Sequence, residues 1–128
     1  MNWLLDTHVV LWAMVSPERL PADVSQALRD PDRPVCFSAA SIWEIAIKAS
    51  SGREDFTVTP GAVWDTANIM GWNELPVTAV YAARAATLPP LHRDPFDRLL
   101  VAQALVEGLT LVTSNQALAN YPGTIRLI

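Results

Sequence analysis

The chain has 128 residues, 13 acidic against 9 basic side chains, a formal charge of −4 and 51% apolar residues. This length suits one domain spanning 1–128 and the apolar fraction excludes an intrinsically disordered chain; no run approaches the roughly 18 apolar residues that span a bilayer. MNWLLDTHVV lacks the basic start of a signal peptide, the single Cys36 excludes an internal disulfide and fits a reducing, cytoplasmic setting, and the acidic balance argues against holding nucleic acid by bulk charge.

In chain order, Asn2 to Leu5 reads as a short buried strand ending at Asp6, and Thr7 to Val15 as a helix stopped before Pro17. Leu20 to Asp30 reads as a second helix with Pro21 in its first turn, followed by the turn cluster DPDRP and a short strand, Val35 to Phe37. Ser38 is an N-cap for a helix running to about Ser51 and closed by Gly52, with Ile42, Ile45, Ala46 and Ala49 as its apolar stripe. Glu54 to Thr59 is a loop or edge strand, Gly61 to Met70 a helix, Trp72 to Pro76 a short strand, and Thr78 to Thr87 an Ala-rich helix broken by Leu88-Pro89-Pro90. Asp94 and Pro95 open a helix that runs to about Glu107 before Gly108. Leu109 to Thr113 is the most strand-like run, followed by a short helix at Gln116 to Ala119 and a last strand at Thr124 to Leu127. The alternation predicts an α/β domain with a mostly parallel central sheet flanked by helices.

Ligands of such sheets sit outside the carboxyl ends of the strands. Asp6 ends the first strand, Glu44 lies in the helix after the second, Asp94 and Asp97 open the helix before the fourth, and Asn115 follows that strand after Thr113 and Ser114. Carboxylates gathered in a cleft repel one another unless a cation joins them, and hard oxygen ligands suit Mg²⁺ or Mn²⁺. Such an ion can activate water and neutralise a phosphodiester, so metal rather than net charge would bring in phosphate. Singly, each residue also has a plain role. Asp6 and Asp94 are N-caps, Asp97 complements a helix dipole, Asn115 is a turn or cap residue, and Glu44 pairs with Lys48 on a solvated helix face. Cys36 reads as core, and Trp3, Trp12, Trp43 and Trp64 read as core or interface. His8 and His92 are too few for a zinc site, although His92 and Arg93 flank Asp94 and so border the same cleft.

Four segments together resemble a PIN-domain protein, and more narrowly the VapC toxins of bacterial VapBC toxin–antitoxin pairs: LLDTHVVLW at 4–12, SIWEIAIK at 41–48, LHRDPFDRLLVAQALVEGLTLVT at 91–113 and ANYPG at 119–123. The resemblance covers essentially the whole chain, and its specificity comes from the order and spacing of four individually weak motifs. It implies a metal-dependent ribonuclease acting on tRNA or rRNA, dimeric and held inactive by a cognate VapB antitoxin. Asp6 falls on the first catalytic acid and Thr7 on the small hydroxyl residue after it, Glu44 on the second acid, and Asp97 on the third. Asp94 belongs to the DPFD variant of the third motif. The fourth position departs from the family's Thr-x-Asp, because Thr113-Ser114-Asn115 ends in a neutral amide. An Asn offers an oxygen or holds a water but brings no charge, which weakens the case for a second ion.

The expected mechanism has Asp6 and Asp97 ligating Mg²⁺, with Mn²⁺ as a substitute, and Glu44 ligating it or positioning its water. Thr7, Thr113 and Asn115 support them, and Arg93, Arg98, Lys48 and Arg53 are either phosphate contacts or solvated surface charges. The alternative is a PIN-fold binding module, attenuated by Asn115, that works through antitoxin or RNA binding. A haloacid-dehalogenase-type phosphatase is disfavoured by His8 two residues after Asp6, and a phospho-receiver domain by the early position of the only lysine, Lys48. A chain of 128 residues is about what one PIN domain requires, so regulation is expected from a separate chain.

Overall fold

The computed structural model describes residues 2–52 and 58–128. The predicted loop or edge strand at Glu54 to Thr59 lies largely outside the described residues, as does Arg53. Among the described residues, five strands form one sheet: β1 (Trp3–Leu5), β2 (Val35–Ser38), β3 (Asn73–Leu75), β4 (Thr110–Thr113) and β5 (Thr124–Leu127). Their order is β3-β2-β1-β4-β5 and every pairing is parallel, so the sheet is wholly rather than mostly parallel.

Among the described residues, six α-helices connect and cover it: α1 (Thr7–Val15), α2 (Ala22–Arg29), α3 (Ala39–Ser50), α4 (Pro60–Ile69), α5 (Ala79–Ala86) and α6 (Pro95–Glu107). The second helix is shorter than Leu20 to Asp30. Pro21, at φ −55° and ψ 147°, holds extended backbone as its N-cap, and a separate 3-10 turn occupies Pro17–Arg19. The start of α6 follows the predicted capping: Asp94 accepts from the backbone N–H groups of Phe96 and Asp97. Its end is set by Gly108 at φ 66°, a left-handed conformation that costs glycine nothing.

Strand residues alternate between two apolar layers because successive side chains point to opposite faces. Leu5, Phe37 and Val112 enter one layer with Val9, Val10 and Ile45, whereas Leu4 and Leu111 enter the other with Leu100, Val101 and Leu118. The register pairs Leu4 with Leu111 and Leu5 with Val112, so both layers run across the centre of the sheet. Burial on both faces explains why the central strands read as continuous apolar runs. The chain builds β1, β2 and β3 outward in one direction, then returns to place β4 on the other side of β1. The reversal of strand order leaves a crevice beyond the carboxyl ends of β1 and β4.

Candidate active site

Asp6 follows β1 directly and caps α1, its Oδ1 accepting from the Val9 N–H at 2.9 Å. Its Oδ2 accepts a hydrogen bond from the Thr113 hydroxyl at the end of β4. Glu44 is buried in the second turn of α3, although a lone helical Glu reads from sequence as solvated. Two partners hold it there: the Thr7 hydroxyl donates to Oε1 at 2.5 Å, and the Lys48 ammonium pairs with Oε2. The Ser41 hydroxyl, which the sequence offered no reason to select, stands 3.0 Å from the Thr7 oxygen and fixes that rotamer in turn.

From the other side, α6 presents Asp97 in its first turn. Asp97 Oδ2 lies 2.9 Å from His92 Nε2 and 3.3 Å from Asn115 Nδ2. Asn115 Oδ1 is turned away and accepts from the Ala117 N–H at 3.0 Å, so the side chain meets Asp97 with its donor end. These groups surround a cleft of about 220 Å³ lined by Asp6, Thr7, Glu44, Asp94, Asp97 and Asn115, together with Lys48 and both histidines. Six of the seven residues singled out as catalytic or supporting thus meet in one place, and the seventh, Thr113, reaches it through Asp6.

The arginines separate. Arg93 is exposed between His92 and Asp94. The guanidinium of Arg98 instead donates to the carbonyls of Ala85, Leu88, Pro89 and His92 and to the Tyr121 hydroxyl, which holds the 85–92 segment in place. Tyr121 also accepts from the His92 N–H at 2.9 Å. Neither role of Arg98 or Tyr121 has a local sequence signal, because the partners lie up to 29 residues away. Of the tryptophans assigned to core or interface, Trp43 is 66% exposed and meets Phe96 edge to face.

The electrostatics are those of crowded carboxylates. Burial raises the Asp6 carboxyl above its ordinary value, against the pull of the Thr113 and Val9 hydrogen bonds. Asp97 is pushed up to about 6, first by burial and then by the neighbouring Asp94 charge, with the His92 hydrogen bond opposing. Positive charge in the cleft would relieve both. Ligand atoms of His92, Asp94 and Asp97 lie within 4.8 Å of one another, close enough to share one cation. The donor set, mostly hard carboxylate oxygen, fits Mg²⁺ or Mn²⁺.

The sheet is wholly parallel with an acid-lined cleft at its switch point, and the PIN domain family model matches residues 3–123: the chain belongs to the PIN-domain family. Its relatives include Ribonuclease VapC22 of Mycobacterium tuberculosis, 33% identical over 119 residues that cover 92% of this chain and 90% of the relative. The likeness to VapC proteins read from the sequence is thereby borne out. In fold the chain is similar to a crystal structure of VapBC2 from Rickettsia felis bound to a promoter DNA fragment (TM-score 0.73, 16% identity, 98% of each chain). It is also similar to DNA-bound VapBC from Salmonella typhimurium (TM-score 0.69, 17% identity, 100% of this chain and 97% of that one). No helix among the described residues is long and apolar enough to cross a membrane.

Proposed function

We propose that this chain is the ribonuclease of a VapBC-type toxin–antitoxin pair, a metal-dependent hydrolase of phosphodiester bonds in tRNA or rRNA. One observation carries the reading: Asp6, Glu44 and Asp97 line a single cleft at the sheet's switch point in a chain 33% identical to a VapC ribonuclease.

A bound Mg²⁺ or Mn²⁺ would polarise the phosphodiester and lower the pKa of a water. Asp6 and Asp97 would hold the cation, with Glu44 as ligand or as the acceptor that orients the water. The protein's own part is to keep those carboxylates in position. Thr113 and the Val9 N–H fix Asp6, Thr7 fixes Glu44 with Ser41 behind it, and the Asn115 amide fixes Asp97, with His92 beside it. Lys48 balances Glu44 at the cleft wall, and exposed Arg93, between the cleft residues His92 and Asp94 in sequence, would meet an RNA phosphate. Arg98 serves the loop rather than the RNA. A VapB-like antitoxin, a homodimer and a cytoplasmic site of action belong to the same reading. Exposed Trp43 and Ile47, four residues apart on α3, suit a subunit contact.

The test is cleavage of a panel of tRNA and rRNA by the purified chain with and without EDTA, beside Asp97→Ala. Cleavage that survives EDTA, or equal cleavage by Asp97→Ala, would overturn the reading. The inward-facing neutral amide of Asn115 supports a second reading, a binding module with a weakened active site. Absence of divalent binding at millimolar metal would favour it.

A further inference from the structure

The residue that follows β4 in the cleft wall is the neutral Asn115, and the structure brings a different donor to the same corner. Asn115 turns its amide NH₂ toward the cleft, while Oδ1 points to and accepts from the Ala117 N–H. Opposite it, His92 Nε2 lies 3.4 Å from Asn115 Nδ2 and 2.9 Å from Asp97 Oδ2. The backbone around that imidazole is fixed at both polar groups: the His92 N–H donates to the Tyr121 hydroxyl at 2.9 Å, and its carbonyl accepts from Arg98 at 3.4 Å. Its ring nitrogen and the carboxylates of Asp94 and Asp97 lie within 4.8 Å of one another.

We propose that His92 is a direct cation ligand, joining Asp94 and Asp97 in a mixed nitrogen–oxygen site that favours Mn²⁺ over Mg²⁺. The inference rests on the metal-dependent reading above and adds to it a ligand and a metal preference. Mg²⁺ binds oxygen and keeps its waters, whereas imidazole suits the first-row transition ions. A neutral imidazole ligates through its unprotonated nitrogen, so binding through Nε2 leaves the ring proton on Nδ1 and replaces the hydrogen bond to Asp97 of the metal-free protein with a shared ion. The Asn115 amide then donates to Asp97 Oδ2 without competing for the ion.

The experiment is titration of Mn²⁺ into the metal-free full chain, followed by electron spin echo envelope modulation, which reads nitrogen bound directly to the ion. The chain has two histidines, and both line the cleft, so His8 is the built-in control. Nitrogen modulation is expected in the wild type, altered by ¹⁵N-histidine labelling, lost in His92→Gln and retained in His8→Gln. Because Gln still offers Asp97 a hydrogen bond, a positioning role alone would leave Mn²⁺ affinity in place. Loss of a ligand should weaken Mn²⁺ by about tenfold or more, with little change for Mg²⁺. Should His92→Gln fail to fold, the labelled wild type and His8→Gln decide the matter between them. Bound Mn²⁺ without nitrogen modulation, modulation that follows His8, or unchanged Mn²⁺ affinity in His92→Gln overturns the proposal while leaving a metal-dependent nuclease in place. Failure to bind Mn²⁺ or Mg²⁺ together with EDTA-resistant or absent cleavage overturns both.

Discussion

Thr113 donates its hydroxyl proton to Asp6 across the switch point of the sheet, joining residues 107 positions apart in sequence. The same oxygen accepts the Asn115 N–H at 3.0 Å, so one buried hydroxyl ties the end of β1, the end of β4 and the turn that follows. Thr113 is wholly buried and Asp6 is nearly so. Thr113→Val keeps the shape and removes the donor, leaving a buried carboxylate short of one partner. The expected cost is ~1.5–3 kcal/mol, the usual range for a hydrogen bond to a charged group. Urea denaturation measures it, and Thr113→Ser should recover most of the loss. Cleavage by Thr113→Val should fall even where the protein is fully folded, since the Asp6 rotamer is no longer fixed. Unchanged stability would mean that the contact contributes nothing.

Asp97 gives the metal-free protein a definite pH dependence. Its folded-state value of about 6 lies above the ordinary 3.8, because burial and Asp94 disfavour the charged form. A raised carboxyl contributes stability that is fully present below the unfolded value and lost as pH rises through the folded one, here between about pH 4 and 6. Asp6 is shifted in the same direction and acts with the same sign. Thermal melts of EDTA-treated protein should therefore show Tm falling over that window. In Asp97→Asn the fall should be shallower, so that the variant gains on the wild type by pH 7.5. Added divalent metal should raise the wild-type Tm more at pH 7.5 than at pH 5, because the ion competes with the proton for the same carboxylate. A wild-type Tm that climbs between pH 4 and 6 in parallel with Asp97→Asn would contradict this.

Arg98 and Arg93 offer a contrast between a loop anchor and a substrate contact. Arg98 reaches four carbonyls and the Tyr121 hydroxyl, and one of those carbonyls belongs to His92. Arg98→Ala should cost about 2–3 kcal/mol and loosen the segment that carries His92, with non-additive losses because the contacts act as a unit. Arg98→Lys should recover little, since an ammonium cannot span the same carbonyls. Arg93 is exposed, so Arg93→Ala should leave stability within about 0.5 kcal/mol. It should weaken RNA binding and reduce the slope of log affinity against log salt by about one. Denaturant melts and filter binding at several salt concentrations separate the two outcomes.

The contrast also marks what the sequence could disclose. Strands and helix ends were legible because their causes are local: the apolar run Leu109 to Thr113, the Asp94-Pro95 cap, and Gly108 after α6. Asp6 at a strand end, Glu44 on the helix after the second strand and Asp97 on the helix before the fourth are each ordinary cap or surface residues alone, and only the set and the family resemblance single them out. The burial of Glu44 was not legible. Spacing to Lys48 gives the same surface pair whether or not α3 packs its face against Thr7, and the Thr7 contact spans 37 residues. Asn115 was open between ligand and cap for a similar reason. Its direction is decided by the Ala117 N–H, a backbone donor that carries no side-chain signature. The sequence marks His92 only as a neighbour of Asp94, because its backbone is held by the Tyr121 hydroxyl, 29 residues away, and by Arg98.

Asn115→Asp returns a carboxylate to the corner where Asn115 Nδ2 stands 3.3 Å from Asp97 Oδ2. Asp remains a good cap for the Ala117 N–H, so the turn should persist. A second anion at that distance replaces a donor with a repeller. Between bulk-water and surface-like dielectric the repulsion is on the order of 1–5 kcal/mol, and the metal-free protein should melt lower at pH 7.5. A divalent cation feels the same field with the opposite sign. A gain of about 1.4 kcal/mol is a tenfold tighter dissociation constant, and calorimetric titration with Mn²⁺ should show at least that. Cleavage assayed at limiting metal should rise with it if Asn115 marks an attenuated nuclease. If the variant binds metal tightly and still cuts no RNA in the panel, the cleft holds a cation without catalysing. The binding-module reading would then replace the enzymatic one.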